Sequence, residues 1–345
     1  MNGTPTNFPN GITSYGVPTM GIAGAPLFTG NWYFVDYVNG SDGYPGTAEQ
    51  PLKTIYAAYA KMTSGNNDVC VIVGNGAASG SQRLSKALAQ AVDSSATTGT
   101  LTWAKNACHL IGMTAPTATA QRARIAPPTG TYTQATFGSG NFVVVTGAGC
   151  MFSNFSVFHG FSTGGNNQIA WTDSGGRNYY HNVDFGGAGD AASAQSTSSR
   201  SLLISGAGEN TFVGCTFGLD TVTRTVANAT VQLAGATARN VFIDCHWRFQ
   251  TSAATALGIL GTGAGCIDRD TNFVNCRFVN QVQSTSTTMD ALATLPASAG
   301  GLLLMKNCTM VGITEFGTDA TTRGQVYVDG AAPTAATSGI AVNPA

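Results

Sequence analysis

The sequence contains few charged residues. Only 10% of its 345 residues are Asp, Glu, Lys or Arg, against about 25% in an average soluble domain. With a net charge of −1 at pH 7, the chain lacks the basic surface by which proteins bind nucleic acid or anionic membranes. Hydrophobic residues reach 43%, which is enough for a large core and excludes a chain that is disordered throughout.

Long apolar runs and N-terminal charges are also missing. The longest apolar stretches, such as Phe142–Val145 and Leu302–Met305, are far shorter than the roughly 20 residues that span a bilayer. Residues 1–35 carry no charge, so the Lys/Arg-led start of a secretory signal peptide is absent. We therefore expect no nucleic-acid partner, no membrane segment and no signal peptide.

Strong helix formers are scarce, with three Glu and five Lys in the whole chain. Helical periodicity predicts only two helices, over Pro51–Met62 and Gln82–Val92. Elsewhere, short runs of Val, Ile, Phe and Thr are separated by Gly, Asn and Ser, which is typical of strands and turns. The sequence therefore predicts an all-β protein with a little helix near its start.

A six-residue motif recurs six times. Its pattern is large apolar, any residue, Asn/Gly/Asp, smaller apolar, any residue, large apolar. The copies begin at Phe152, Tyr180, Phe212, Phe242, Phe273 and Met305, and their fourth positions are 28, 32, 30, 31 and 32 residues apart. Such a period indicates a solenoid of stacked coils.

The motif also predicts the shape of each coil. Its first and fourth positions cannot face the same side of a regular strand, because side chains alternate with a period of two. The backbone must bend between them, at a third position whose residue types tolerate the left-handed region. This turn ladder comprises Asn154, Asn182, Gly214, Asp244, Asn275 and Asn307. The stacked coils then form a parallel β-helix.

The apolar motif positions are predicted to point inward and to stack from coil to coil. These structural ladders comprise Phe152, Phe155, Tyr180, Val183, Phe185, Phe212, Cys215, Phe217, Phe242, Cys245, Trp247, Phe273, Cys276, Phe278, Met305, Cys308 and Met310. Because the four cysteines occupy one ladder, we expect them to be free, buried thiols. No paired Cys or His spacing is present, so the sequence predicts no metal site and no cofactor.

Residues Asn31–Gly43 and Pro51–Ala58 resemble the beginning of right-handed parallel β-helix proteins of the pectate-lyase-like superfamily. The resemblance covers roughly residues 31–315 and implies a single-stranded β-helix capped by a strand and a short helix. The period and the Ser/Thr/Ala/Gly stretch Ala188–Arg200 are similar to those of phage-encoded members. Asn7–Pro18 resembles the leader of β-helix proteins encoded among phage head genes.

Four segments are expected: an extended N-terminal arm (1–30), a capping strand and helix (31–66), the β-helix (67–316) and a C-terminal strand and tail (317–345). The uncharged arm cannot form a core alone, so we expect it either to bind a neighbouring subunit or partner or to be a flexible terminus. Its apolar contact residues are Phe8, Ile12, Tyr15 and Val17.

Catalytic acids are hard to find. Asp184 and Asp244 have no carboxylate partner in register on adjacent coils, and no Gly-x-Ser-x-Gly motif occurs. The best acidic pair is Asp268 and Asp270, which would share a strand face about 7 Å apart.

Two functional classes remain. The first is a non-enzymatic structural component of a phage virion, a head decoration or cement protein assembled in the host cytoplasm. It would bind the major capsid protein or other virion proteins, with its arm attached to the capsid, and form a homo-oligomer, with a trimer favoured. The alternative is a tailspike-type carbohydrate-active enzyme, a polysaccharide hydrolase or lyase using Asp268 and Asp270, or an adhesin that binds a surface glycan.

Overall fold

The computed structural model describes residues 13–14, 17–18, 29–74, 82–83, 100–126, 141–158, 169–187, 196–281, 286–329 and 338–340. Three parallel sheets run along the solenoid, and each strand pairs with the equivalent strand of the next coil. One coil, for example, runs from Asn141–Val145 to Met151–Ser153 and then to Ser156–Phe158, with each strand in a different sheet. The expected all-β, single-stranded right-handed parallel β-helix is confirmed.

Sheet I has 11 strands, and sheets II and III have eight each. The strands of sheet I are Trp32–Val35, Val69–Val73, His109–Met113, Met151–Ser153, Tyr179–His181, Thr211–Val213, Ala238–Ile243, Asp268–Val274, Leu302–Lys306, Val326–Asp329 and Ser338–Ile340. Those of sheet II are Gln82–Arg83, Arg124–Ala126, Ser156–Phe158, Asp184–Gly186, Thr216–Phe217, His246–Phe249, Arg277–Asn280 and Thr309–Val311. Those of sheet III are Leu101–Trp103, Asn141–Val145, Ile169–Asp173, Arg200–Ser205, Ala229–Ala234, Leu257–Thr262, Met289–Thr294 and Ile313–Gly317.

A short helix, α1 (Ile55–Lys61), lies at the N-terminal end of the β-helix. It begins where Thr54 Oγ1 accepts a hydrogen bond from Ala57 N (3.1 Å), an N-cap that satisfies one of the helix's unpaired amides. Lys105 Nζ donates to Met62 O (2.6 Å) at the other end. The prediction of a second helix is wrong at its first residues, because Gln82–Arg83 forms a strand. Residues 84–92 lie outside the described residues.

The bend between sheets I and II has a left-handed backbone. All six residues of the turn ladder have positive φ, from 51° to 60°. The amide side chains also bond along the stack, since Asn182 Nδ2 donates to Asn154 Oδ1 (2.9 Å) and Asn275 Nδ2 to Asp244 Oδ1 (3.1 Å). The bend therefore turns the first and fourth motif positions toward the same interior.

Aromatic rings stack along this interior. Successive ring centroids of Phe152, Tyr180, Phe212, Phe242 and Phe273 lie 4.5–5.0 Å apart, with planes within 16° of parallel. All eight cysteines are free; seven are buried, and Cys308 is half-buried. Met310, in the same coil as Cys308, is likewise only partly buried.

The two termini carry short elements. Thr13–Ser14 pairs antiparallel with Val17–Pro18, whereas Phe8, Ile12 and Tyr15 lie outside the described residues, as does the side chain of Val17. At the other end, helix α2 (Ala320–Arg323) precedes the sheet I strand Val326–Asp329. Within the described part of the chain, no helix has the length and apolarity needed to cross a membrane.

We expect His109 to make the fold sensitive to acid. Its Nδ1 accepts a hydrogen bond from Met151 N (3.0 Å), and burial lowers its pKa to about 4, although nearby Asp68 partly opposes this. As the pH falls below about 6.5, the unfolded chain binds a proton before the folded chain does, so the free energy of unfolding decreases until about pH 4. We expect this group to cost about 3 kcal/mol between pH 7.5 and pH 4.

Denaturant unfolding at several pH values checks this expectation, with His109→Gln as the comparison. The variant lacks the titrating imidazole, so its free energy of unfolding should decrease less over the same interval. Equal decreases in the two proteins would exclude His109 as the cause.

Candidate active site

A row of side chains in the fifth motif position crosses the outer face of sheet II. Each residue is paired in register with the next one, in the order Arg124, Ser156, Asp184, Thr216, His246, Arg277 and Thr309. Their strand neighbours, such as Phe185 and Trp247, are fully buried in the interior. Because side chains alternate along a strand, those at the fifth position point outward. Acidic, basic and hydroxyl groups therefore lie together on one surface.

Asp184 lies in the middle of this row and is almost completely buried. Its carboxylate accepts hydrogen bonds from Thr216 Oγ1 (2.6 Å), Ala120 N (2.9 Å), Arg248 Nη2 (3.1 Å) and Ser156 Oγ (3.2 Å). Four donors, one of them cationic, offset the cost of burying the charge. Asp184 therefore has little accessible surface for a substrate and holds Arg248 in place.

Arg248 contacts a second carboxylate. Its Nη1 lies 3.6 Å from Asp220 Oδ1, while its Nη2 bonds to Asp184. The side chain of Asp220 is 29% exposed, against 5% for Asp184. One guanidinium thus joins a buried carboxylate to an accessible one, and we refer to Asp184, Arg248 and Asp220 as the carboxylate–arginine cluster.

His246 lies beside this cluster. Burial lowers its pKa, and the charges of Arg248 and Arg277 lower it further, with Asp220 acting in the opposite direction. Among the residues that the structure describes, its buried Nε2 has no hydrogen-bond partner. The exposed Arg277, paired in register with His246, adds positive charge to the same surface.

The arrangement can support carboxylate chemistry on a sugar polymer. Glycoside hydrolysis commonly uses two carboxyl groups, whereas in this cluster the side chain of Asp184 is only 5% exposed and that of Asp220 is 29% exposed. Asp220 is the accessible carboxylate, and Arg248 supplies a fixed positive charge beside it. Among the described residues, no three His, Cys, Asp or Glu side chains converge as metal ligands.

Asp268 and Asp270, the pair expected from the sequence, lie on sheet I and not with the cluster on sheet II. The residue between them, Arg269, has φ 86°, and the strand register shifts at this point, so the regular alternation assumed for the pair does not hold. Asp268 is exposed, and Asp270 accepts a hydrogen bond from Asn272 Nδ2.

Sequence reasoning considered Asp184 but missed its partner. The in-register neighbours of Asp184 are Ser156 and Thr216, as expected. The second carboxylate comes from Asp220, in the turn that follows the strand Thr216–Phe217, and it is joined to Asp184 by an arginine two coils away. The polar residues at the fifth motif position are the signal that could have indicated this face.

No protein-family model matches this chain, and no curated protein sequence matches it. Solved structures are similar in fold. A pectin methylesterase in complex with a hexasaccharide has a TM-score of 0.56 at 14% identity, covering 92% of this chain and 94% of its own. The pectin methylesterase from Yersinia enterocolitica has a TM-score of 0.54 at 13% identity, covering 84% and 95%.

The pectate lyase Pel9A is also similar, with a TM-score of 0.53 at 13% identity over 88% of this chain and 69% of that one. The chain thus has the pectate-lyase-like right-handed β-helix fold. These neighbours are carbohydrate-active enzymes, so the expectation of a non-enzymatic virion decoration protein is wrong, and the alternative of a carbohydrate-active enzyme is better supported.

Proposed function

We propose that this protein is a carbohydrate-active enzyme that cleaves an acidic polysaccharide at the carboxylate–arginine cluster of sheet II. The observation that carries the proposal is the contact of one guanidinium, Arg248, with both Asp184 and Asp220 on the outer face of the solenoid. Asp220 acts as the reacting carboxylate, and Arg248 orients it. Asp184 is a positioning residue, because its oxygens are already bonded to four donors.

The charge around the cluster supports an acidic substrate. Arg248 carries one positive charge beside the two carboxylates of the cluster. Arg277 adds a second positive charge on the same face. It is exposed and lies one coil from Arg248 and two coils from the turn that carries Asp220. An exposed guanidinium can bind a sugar carboxylate through two parallel hydrogen bonds. The pectin methylesterase solved with a hexasaccharide has a similar fold, which is consistent with a sugar chain binding along such a solenoid.

The test is a panel of polysaccharides incubated with the purified protein. We expect turnover of uronate polymers, such as polygalacturonate, methyl-esterified pectin or bacterial capsular polysaccharides, and none of a neutral glucan. New reducing ends without an unsaturated product would indicate hydrolysis, and ultraviolet absorbance of an unsaturated uronate would indicate elimination. Binding without turnover across the panel would contradict the enzyme and indicate an adhesin.

A further inference from the structure

Arg224 is a buried cation in the turn between sheets II and III. Only 6% of the residue is exposed. Its Nη1 lies within hydrogen-bond distance of Asn228 Oδ1 (3.1 Å), Leu257 O (3.3 Å) and Thr230 Oγ1 (3.4 Å). Its Nε and Nη2 are buried and have no hydrogen-bond partner among the described residues. Two strong donors thus remain unsatisfied away from water, which is costly for a charged group.

A second buried arginine increases this cost. Arg200 is also 6% exposed, and its guanidinium donates to Gln232 Oε1 (2.9 Å) and to the carbonyls of Thr197 (2.8 Å) and Ser199 (2.7 Å). Among the described residues, neither arginine forms an ion pair, since the ion pairs involve other arginines. The neighbouring guanidiniums of Arg200 and Arg224 therefore have no carboxylate among the described residues to balance their charge.

Both guanidiniums remain charged at neutral pH. Burial lowers the pKa of Arg200 to about 10, and burial together with the charge of Arg200 lowers the pKa of Arg224 to about 9. Neither shift is large enough to remove the proton at pH 7. The phenyl ring of Phe249, 5.1 Å from the guanidinium carbon of Arg224, contributes a cation–π contact, but it cannot replace a counterion.

A small pocket, partly open to solvent, lies between these side chains. It is lined by both arginines, by Arg248 and by hydroxyl-bearing residues, among them Ser201 and Thr230. Its volume of ≈ 10 Å³ leaves room for about one water-sized particle. A carboxylate or phosphate group would not fit without rearrangement, whereas a monatomic anion is of suitable size.

The backbone around this space is held firmly. Arg224 N donates to Gln250 O (2.8 Å), and Thr251 Oγ1 donates to Arg224 O (3.0 Å), so the turn is anchored to the next coil. The backbone of Arg224 is therefore fixed beside this space.

We propose that this pocket binds a monatomic anion, chloride under ordinary conditions, through Nε and Nη2 of Arg224. The anion balances the charges of Arg224 and Arg200 and thereby fixes the turn Gly218–Asn228 against the start of the strand Arg200–Ser205. Arg248 lines this pocket and also contacts Asp220, but the proposed anion is held by Arg224, so the site would exist whether or not the protein cleaves a polysaccharide.

Thermal unfolding of the full chain tests the proposal. The protein is first placed in halide-free buffer with sodium gluconate, and bromide or chloride then replaces gluconate at constant ionic strength. We expect a saturable rise in Tm of about 2–4 °C or more, because the ion binds only the folded state. A crystal soaked in bromide should show an anomalous peak beside Arg224.

Three variants make the result specific. Arg224→Gln should lose the halide response, whereas Arg277→Gln, which removes an exposed arginine outside the pocket, should keep it. If Arg224→Gln does not fold, the bromide peak in the unaltered protein decides the matter. A halide response that persists in Arg224→Gln would overturn the proposal, as would an unaltered protein with neither a saturable response nor a bromide peak.

Asp190 provides the remaining control, because it is the one acidic residue between 188 and 195, a segment outside the described residues. We expect Asp190→Asn to respond to halide as the unaltered protein does. If the unaltered protein gives no response and Asp190→Asn acquires one, the chain supplies its own counterion and the proposal is wrong.

Discussion

Replacing Asp220 by Asn is expected to lower kcat on the polysaccharide substrate by about 10²–10⁴-fold. The amide keeps the size of the side chain and its place beside Arg248 but cannot act as a base or a nucleophile. Because Asp220 is partly exposed and lies 3.6 Å from Arg248, its loss should cost at most about 1 kcal/mol of stability. The measurement is kcat and KM together with Tm.

Two comparison variants separate the roles within the cluster. Asp268→Asn changes an exposed acid on another sheet and should retain full activity. Asp184→Asn should lower both kcat and Tm, because it removes the buried anchor of Arg248. Full activity in Asp220→Asn, or a large loss in Asp268→Asn, would place the reaction elsewhere on the molecule.

The coil architecture could be predicted from the sequence because its physical cause is local. A strand cannot turn positions 1 and 4 of the motif toward one side, so a left-handed residue between them was required. Asn182 and Gly214, with φ 51° and 60°, meet that requirement. The inward ladders follow from the same bend, since it sets which side of each strand faces the axis.

The candidate site could be predicted only in part, because it depends on how far side chains reach. Register alone places Ser156 and Thr216 beside Asp184. It gives neither the path of the turn that carries Asp220 nor the reach of Arg248 across two coils to Asp184. The pair Asp268 and Asp270 was chosen by assuming regular alternation, but the positive φ of Arg269 interrupts that alternation.

Replacing Phe212 by Ala is expected to lower the free energy of unfolding by about 3–5 kcal/mol. The ring is fully buried and stacks between Tyr180 and Phe242, with centroid distances of 4.5 and 4.6 Å. Its removal leaves a cavity that the neighbouring coils cannot close, because their spacing is fixed by the backbone hydrogen bonds of three sheets. Denaturant unfolding, with its midpoint and slope, measures the loss.

Val213→Ala is the matched control, since Val213 follows Phe212 in the same strand but lies on the outer face of sheet I and is half-buried. It should cost no more than about 1 kcal/mol. Equal losses for the two variants would show that the strand, and not the ring stack, carries the stability. A large loss confined to Phe212→Ala, with faster amide exchange in the coils of Tyr180 and Phe242, would instead follow from nearest-neighbour coupling along the solenoid. The interior stack then holds the coils in register, and on this rigid support the outer face of sheet II can keep Asp184 and Arg248 in contact across two coils.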